Sequence, residues 1–544
     1  MRKKNTYLVL AIMLPLAMIA RDWTSYISYH NVTKTLPLSN KVYAIGSGGL
    51  FSYVFGDDKV RTYSKSTGLS STNIIHLAYC EELEELLLVY SDYNIDILDV
   101  NDSIINIPEF KNSSFPDKTI NAINVAGEEA FLATNAGIVV INLRKAEYTN
   151  AYETNFRVRD ALGDDDNIYA LGPDGIYAGD RSKNLLDKSN WKRMTGTYMH
   201  RLIPFNDKIY ALNTTRGFFS LDTQTFSTTS LAGGPLSSCS IYGEDLVLTS
   251  PTQVIVMDKD ELIQTFDYTN DFADLASDGT HLWAARGNLG LQALSIDTDS
   301  LGNKALVAAS GSIVPNSPIR NYFDYIKFTD DNRLLVAGGA LNYSGQTFFE
   351  GTLMMFEDGI WTNFSEDSIA IKTEAIYSNM TSLVQDPNDP THHYASSATS
   401  GLYEYRNGQF VELYNNDNTP ITCIYPTRSN YKNFNRICGA AYDPKGNLWM
   451  FNNQVDTIIR VMTPDKKWES FYYDALKGSP TFDHYLFDDR GWVWMSHRRW
   501  AGTFQAGIAC LNYNNTLSVK SDDNFNFCTT FTDQNGTTTQ LSQL

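Results

Sequence analysis

The chain alternates apolar and polar residues in short segments, and polar turns separate these segments. One of them, FDDRGWVWMSHRRW at 487–500, joins an aspartate-containing turn to a segment with tryptophan at alternating positions. Related segments begin at Tyr442 (YDPKGNLWMF), Leu275 (LASDGTHLWAA) and Phe328 (FTDDNRLLVAGG). Strict alternation between turns is typical of β-strands, and we find no long stretch with apolar residues at helical spacing. The pattern predicts an all-β protein with little helix.

The segments repeat as a unit of strand, tight turn, strand, glycine-rich turn and strand. A fourth strand is often marked by a tryptophan with an aromatic residue three positions later, as at Trp361 and Phe364. The second strands of the first seven units are marked by Tyr43, Leu86, Phe131, Ile168, Ile209, Leu246 and Leu282. Their spacings of 43, 45, 37, 41, 37 and 36 residues fit four-stranded propeller blades, which repeat about every 40–50 residues. Because seven such units make a closed ring, we predict a seven-bladed β-propeller over residues 21–310.

The repeat continues with longer loops through residues 311–544. Its second strands are marked by Leu334, Tyr394, Leu448 and Val493, and FCTTFTDQNGTTTQLSQL near the end begins another turn. About four blades and the start of a fifth cannot close a ring and would leave unpaired strand edges. The predicted fold is therefore two tandem β-propellers, the second incomplete, and we expect the chain to be part of a longer product. A short open second array is the alternative.

The N-terminus is typical of a secretory signal peptide. Arg2, Lys3 and Lys4 precede the apolar stretch 7–19, which is too short to span a bilayer as a helix. Cleavage after Ala20 would remove residues 1–20 and export the chain to the periplasm or cell surface; a retained anchor is the alternative. The following RDWTSYISY, residues 21–29, resembles the fourth-strand signature. We expect it to form a strand that closes one of the rings.

Composition and charge narrow the class of partner. Aromatic residues make up 13% of the chain and charged residues only 19%, which favours strands over helices. A formal net charge of −19 excludes nucleic acid as a partner, and an anionic ligand would need a local basic patch. The six cysteines form no CxxC pair, so we expect buried strand cysteines rather than a disulfide framework.

The segment His497, Arg498, Arg499 and Trp500 departs from the repeat. It follows the strand WVWMS and places three cationic side chains beside an indole in an acidic protein. Arginine binds carboxylate or phosphate with two hydrogen bonds, and tryptophan packs on sugar rings. We therefore predict a glycan or anion site at these four residues. The alternative is that the arginines neutralise neighbouring acidic turns.

Other candidate residues have structural interpretations. The turn aspartates Asp278, Asp330, Asp443 and Asp488 recur and should cap their turns, while Trp283, Trp449 and Trp494 recur and should pack between blades. The adjacent His392 and His393 should point to opposite sides of a strand, and GDDDN at 163–167 lacks the EF-hand pattern for calcium. No pair of carboxylates stands out for glycoside hydrolysis. We predict a non-catalytic protein without cofactor or metal; a propeller lyase or glycosidase is a further alternative.

The blade motifs carry a family resemblance. DPKGNLW at 443–449, DDRGWVW at 488–494 and GIACL at 507–511 resemble the two-component regulator propeller repeat. The WTSYISYHN start and the degenerate first propeller resemble the PorZ-type components of the type IX secretion system. That resemblance implies a non-catalytic protein peripheral to the outer membrane. It also implies binding of anionic lipopolysaccharide and its presentation to the sortase-like protease that processes and anchors cargo. The alternative is the periplasmic glycan-sensing propeller domain of a hybrid two-component regulator.

Overall fold

The computed structural model describes most of the chain after the predicted signal peptide. The described residues are 24–38, 40–206, 208–222, 225, 227–242, 244–268, 272–302, 304–339, 341–342, 345–346, 349–479, 482–497 and 507–541. Residues 1–20, the predicted signal peptide, lie outside them. The chain divides after Ser317 into two compact units, which are described separately below.

The first unit contains seven four-stranded antiparallel sheets among its described residues. Each sheet pairs four strands that are consecutive in the chain, so each is a propeller blade. Blade by blade, the strands are β1 (Val32–Pro37), β2 (Val42–Gly46), β3 (Gly49–Val54), β4 (Lys59–Tyr63); β5 (Ile74–Cys80), β6 (Glu85–Tyr90), β7 (Ile95–Asp99), β8 (Ile104–Ile107); β9 (Ile120–Ala126), β10 (Glu129–Thr134), β11 (Gly137–Asn142), β12 (Glu147–Glu153); β13 (Ala161–Gly163), β14 (Asn167–Gly172), β15 (Gly175–Asp180), β16 (Trp191–Thr195); β17 (Arg201–Phe205), β18 (Lys208–Asn213), β19 (Gly217–Leu221), β20 (Thr228–Gly233); β21 (Ser238–Tyr242), β22 (Asp245–Thr249), β23 (Gln253–Met257), β24 (Ile263–Asp267); and β25 (Asp274–Ser277), β26 (Leu282–Ala285), β27 (Leu291–Thr298), β28 (Lys304–Ala308). All seven sequence markers fall in second strands, which confirms the predicted blade register.

Apolar side chains between neighbouring blades hold the ring together. Each adjacent pair of blades shares a buried cluster, and there are seven such clusters around the described ring. The seventh joins Val42 and Phe51 of the first blade to Trp283 and Leu291 of the last. Full burial of one large apolar side chain stabilises by about 1.5–3 kcal/mol. The unit is therefore a closed seven-bladed propeller, as predicted.

The N-terminal segment 21–29 forms no strand over its described residues 24–29, against expectation there, and residues 21–23 lie outside the description. The buried side chain of Tyr29 packs in the cluster shared by the first and last blades. All four strands of the first blade come from the contiguous stretch 32–63. Reciprocal backbone hydrogen bonds of 2.8 and 2.9 Å between Val32 and Gly287 link the first and last blades. The backbone N–H of Tyr29 also donates to the Ser317 hydroxyl at 3.2 Å.

The second unit contains four further blades among its described residues. Their strands are β29 (Tyr325–Phe328), β30 (Leu334–Gly338), β33 (Thr352–Glu357), β34 (Ile360–Asn363); β35 (Met380–Asp386), β36 (Asp389–Ser397), β37 (Gly401–Arg406), β38 (Gln409–Tyr414); β39 (Ile437–Tyr442), β40 (Leu448–Asn452), β41 (Ile459–Met462), β42 (Trp468–Phe471); and β43 (Phe482–Phe487), β44 (Val493–His497), β45 (Ile508–Asn512), β46 (Asn524–Cys528). Two hairpins accompany them, β31 (Leu341–Asn342) with β32 (Gly345–Gln346), and β47 (Thr530–Thr532) with β48 (Thr538–Gln540). Buried clusters again join successive blades. The prediction of tandem propellers is confirmed.

Helix is sparse, as the sequence pattern indicates. The described helices are the short α1 (Glu109–Asn112) and α2 (Ile369–Thr373), with 3-10 turns at Lys65–Thr67, Lys188–Asn190, Tyr431–Phe434 and Asp474–Leu476. Across the described ranges, no helix has the length and apolar character needed to cross a bilayer. The six cysteines are free thiols, and four of them are buried.

Candidate functional site

A recurring aspartate–tryptophan pair shapes the turn between the first and second strands. The pairs are Asp278–Trp283, Asp443–Trp449 and Asp488–Trp494, whose indole N–H groups donate to the carboxylates at 2.9, 3.0 and 3.1 Å. The other oxygen of Asp443 accepts the backbone N–H groups of Lys445 and Asn447, both at 2.9 Å. These carboxylates use their lone pairs within the blade, so the structure confirms their expected turn-capping role.

Asp330 and Trp494 differ from the turn-capping and core-packing roles predicted for them. The turn at 329–333 is capped by the Thr329 hydroxyl, which accepts the backbone N–H of Arg333 at 3.0 Å, so the expected cap at Asp330 is wrong. Trp494 is only half-buried. Its strand neighbours Val493 and Met495 point into the core shared with the preceding blade, which directs Trp494 to the other side of the sheet.

The structure places His497, the first residue of the predicted glycan site, in a core position at the end of β44. Its side chain is only 7% exposed, and its ring lies 3.9 Å from the ring of Phe482. Burial lowers the pKa of His497 to about 4. Arg498, Arg499 and Trp500 lie outside the described residues, and the predicted site stays a prediction.

The candidate metal residues take part in internal hydrogen bonds. His392 faces Glu404 and Asp386, at 2.8 and 3.2 Å, whereas His393 packs on Phe364, so the two rings point apart as predicted. In GDDDN, Asp164 accepts backbone N–H groups of its own turn. Within the described ranges, no group of three or more histidine, cysteine, aspartate or glutamate side chains could hold a metal ion.

Glu404 is the centre of a buried polar network in the second unit. Its carboxylate accepts hydrogen bonds from the Tyr414 hydroxyl at 2.6 Å and the Lys466 ammonium at 2.9 Å, besides its contact with His392. Burial alone would raise the pKa of Glu404, but these three donors outweigh burial and hold the pKa at about 2. Because Lys466 belongs to the next blade, the network links two blades and is structural.

The first unit presents a basic cluster on one face of its ring. We call this the loop face, because the connections from one blade to the next lie there. The Arg159 guanidinium lies 4.0 Å from the ring centroid of Tyr198 and donates to the Gly172 carbonyl. The Tyr198 ring in turn meets His200 edge-on at 5.0 Å. Arg159, Tyr198, His200 and the exposed Arg201 form what we call the Arg159–Arg201 cluster.

A buried carboxylate joins the two halves of this cluster. Asp160 is 1% exposed and accepts the backbone N–H of Leu202 at 2.8 Å and the side-chain amide of Asn124 at 2.6 Å. Burial raises the pKa of Asp160 to about 6, against the opposing effect of these hydrogen bonds and of Arg201. Asp160 thus ties the segment that carries Arg159 to the strand that carries Arg201, and two arginines against one carboxylate leave the cluster with a net positive charge.

The chemistry of the cluster suits a ligand with both acidic and ring-shaped parts. Guanidinium groups bind carboxylate or phosphate through paired hydrogen bonds, and Tyr198 adds an aromatic surface. Burial, together with the nearby Arg159, lowers the pKa of His200, and the Nδ1 of His200 accepts the backbone N–H of Thr214 at 3.1 Å. His200 is therefore uncharged at pH 7 and offers hydrogen-bonding atoms rather than a positive charge.

Sequence reasoning missed this cluster because its two arginines lie 42 positions apart. The blade repeat nevertheless contains an indication of the Arg159–Arg201 cluster. RVRD at 157–160 directly precedes the first strand of one blade, and YMHR at 198–201 leads into the first strand of the next, which begins at Arg201. Superposing successive blades would have brought these two basic segments together at one end of the ring.

Comparisons with known proteins agree with this architecture. Residues 42–192 match the family model described as the type IX secretion system PorZ N-terminal beta-propeller domain. Among solved structures, PorZ from Porphyromonas gingivalis is 22% identical with a TM-score of 0.84, over 95% of this chain and 69% of PorZ. Its structure is described as that of an essential bacterial surface component of the type-IX secretion system. The chain therefore resembles PorZ in fold, as its blade motifs predict.

Another solved structure is less similar. The extracellular domain of the putative hybrid two component system BT3049 from B. thetaiotaomicron is 12% identical with a TM-score of 0.39, over 94% of this chain and 74% of that one. A search among curated proteins found no match.

Proposed function

We propose that the protein is a non-catalytic, exported component of a type IX secretion system that works at the outer surface of the cell. The observation that carries this proposal is the match of residues 42–192 to the PorZ N-terminal propeller model. The PorZ-like arrangement over 95% of the chain supports it. A rigid ring offers broad faces on which loops from several blades converge, which suits a scaffold that brings a ligand and a protein partner together.

The proposed ligand is an anionic glycan, specifically anionic lipopolysaccharide, which the protein presents to the sortase-like protease of the system. Support comes from the Arg159–Arg201 cluster, a local basic site in a chain of net charge −19. We place the main contact at this cluster and keep His497, Arg498, Arg499 and Trp500 as a second contact. Because His497 is buried, Arg498, Arg499 and Trp500 would form that contact.

Binding of purified anionic lipopolysaccharide to the exported chain tests the ligand. A hydrogen bond to a charged group contributes about 1.5–3 kcal/mol, so replacing both Arg159 and Arg201 by alanine should weaken binding at least about tenfold. The matched control replaces Lys145 and Lys192, two exposed cations elsewhere on the ring. Unchanged binding in the folded arginine double variant would remove the cluster from the proposal, and a parallel R498A/R499A variant tests the second contact.

The secretion role needs a cellular test. A strain that lacks the protein should accumulate cargo that is neither processed nor anchored, and the wild-type chain should restore both steps. Normal cargo anchoring in the deletion strain would refute the secretion role, whatever the binding experiment shows.

A further inference from the structure

The face of the first ring opposite the loop face has a different surface. On this side, which we call the turn face, each first strand ends and turns into the second. Two adjoining hollows of about 830 and 810 Å³ lie there and share Ile241. Together they reach the turn between first and second strands in six of the seven blades and the end of the first strand, at Val125 and Ala126, in the third. Because the hollows adjoin at Ile241, we treat them as one depression on this face.

The lining of this depression includes apolar side chains that water still reaches. Ile241 is 46% exposed, and Leu38, Val125 and Ile209 are partly exposed around it. Exposed apolar surface that is rimmed by polar groups is typical of binding surfaces. An apolar side chain of a partner would gain about 25 cal/mol for each Å² that it buries here.

The rim of the depression is acidic. Glu81, Glu84 and Asp164 line it and are exposed. Of its three lysines, Lys208 lies 2.8 Å from Glu261 and Lys259 lies 3.5 Å from Glu244, while the Lys41 ammonium lies over the Tyr43 ring. The lining acids Glu81, Glu84, Asp164, Glu244 and Asp278 outnumber these lysines. The rim thus presents a negative field that attracts cations and repels anions.

We propose that this depression docks a lysine- or arginine-rich segment of a partner protein that carries an apolar or aromatic side chain between its charges. The apolar lining would contact the central apolar side chain of the segment, and the acidic rim would attract the positive charges on either side of it. Anionic glycan is disfavoured here by the same field. This inference concerns the turn face alone and does not depend on the proposed glycan function.

The test measures binding of a labelled heptapeptide, three lysines on either side of one tryptophan, to the exported chain by fluorescence anisotropy. Replacing Glu81 and Glu84 by lysine reverses two rim charges and should weaken binding at least about tenfold at about 0.1 M salt. The matched control makes the same charge change at Asp57 and Glu147, exposed acids outside the hollows. It should change the affinity less than about twofold, since separated surface charges are screened beyond about 10 Å.

A second variant separates docking from general attraction between a polycation and an acidic protein. Ile241→Ser should weaken binding of the tryptophan peptide about threefold or more and leave a peptide of seven lysines unaffected. Because the Ile241 side chain is half exposed, this variant should fold normally. Equal losses in the rim variant and its control, or no effect of Ile241→Ser, would overturn the proposal, as would the absence of saturable binding.

Discussion

The indole N–H of Trp449 donates to the carboxylate of Asp443 at 3.0 Å, and both side chains are buried. Asp443→Ala would remove this acceptor and leave the indole N–H and two backbone N–H groups without their partner. Loss of a buried partner costs about 1–3 kcal/mol, so urea unfolding should show a destabilisation of that size. The matched control is Asp533→Ala, because Asp533 accepts two turn N–H groups but no indole. An equal loss at both positions would contradict a special role for the tryptophan bond.

Glu404 should make the stability of the second unit acid-sensitive. Its pKa of about 2 in the folded chain is lower than the ordinary value of 4.5. A depressed carboxyl pKa contributes stability that is present above pH 4.5 and is lost as the pH falls towards 2. In Glu404→Gln, the unfolding free energy at pH 7 should fall by about 1–3 kcal/mol, and the dependence on pH between 4.5 and 2 should become shallower. A variant with the wild-type pH slope would contradict this account.

His497 should contribute a second acid-dependent step. Its pKa of about 4 is lower than the ordinary 6.5, because burial favours the neutral ring. The folded state therefore binds fewer protons than the unfolded chain in this range. The free energy of unfolding should fall as the pH drops from 6.5 towards 4. His497→Phe keeps an aromatic ring against Phe482 and should flatten this part of the stability profile, whereas His497→Ala should also cost about 1–3 kcal/mol at pH 7 by creating a cavity. Thermal unfolding across this pH range distinguishes the two variants.

Anion binding at the Arg159–Arg201 cluster should strengthen on mild acidification. Asp160 has a pKa of about 6 and is influenced by Arg201, so lowering the pH from 7 to 5 removes a negative charge from the cluster. Affinity for anionic lipopolysaccharide should rise about threefold or more over this interval. Asp160→Asn removes the titrating group and should abolish the change, with thermal unfolding as a check that the variant folds. A pH-independent affinity in the wild-type chain would contradict the role of Asp160.

The repeated features of the fold were predictable, because every blade has the same sequence pattern of alternating strands and turns. Tyr43, Leu86 and Phe131 mark second strands through alternation and spacing alone. The turn role of Asp443 also follows from recurrence. The segment 21–29 suggested a fourth strand because Trp23 and Tyr26 have the Trp-x-x-aromatic spacing. Over the described residues 24–29 there is no strand, and Tyr29 is instead buried in the cluster between the first and last blades.

The candidate site was harder to predict, because it depends on contacts between blades. Tyr198 meets Arg159 only after two blades have packed side by side. The sequence around either residue does not predict that contact. His497 shows the converse difficulty. A histidine beside two arginines suggests a charged surface, but its place at the end of β44 puts the ring in the core. Local composition alone does not distinguish these two outcomes.

The pairing of Val32 with Gly287 also bears on how the chain folds. Every strand pairing inside a blade of the first ring joins consecutive strands, so each blade needs only short-range contacts and can form as the chain is synthesised. Closing the ring instead brings together residues that are about 255 positions apart. Among the described residues no strand is shared between the first and last blades, and this closure must wait until the last blade has been made. The slow step of folding therefore lies where the first and last blades meet, and substitutions there should slow the assembly of a complete ring more than those within a blade.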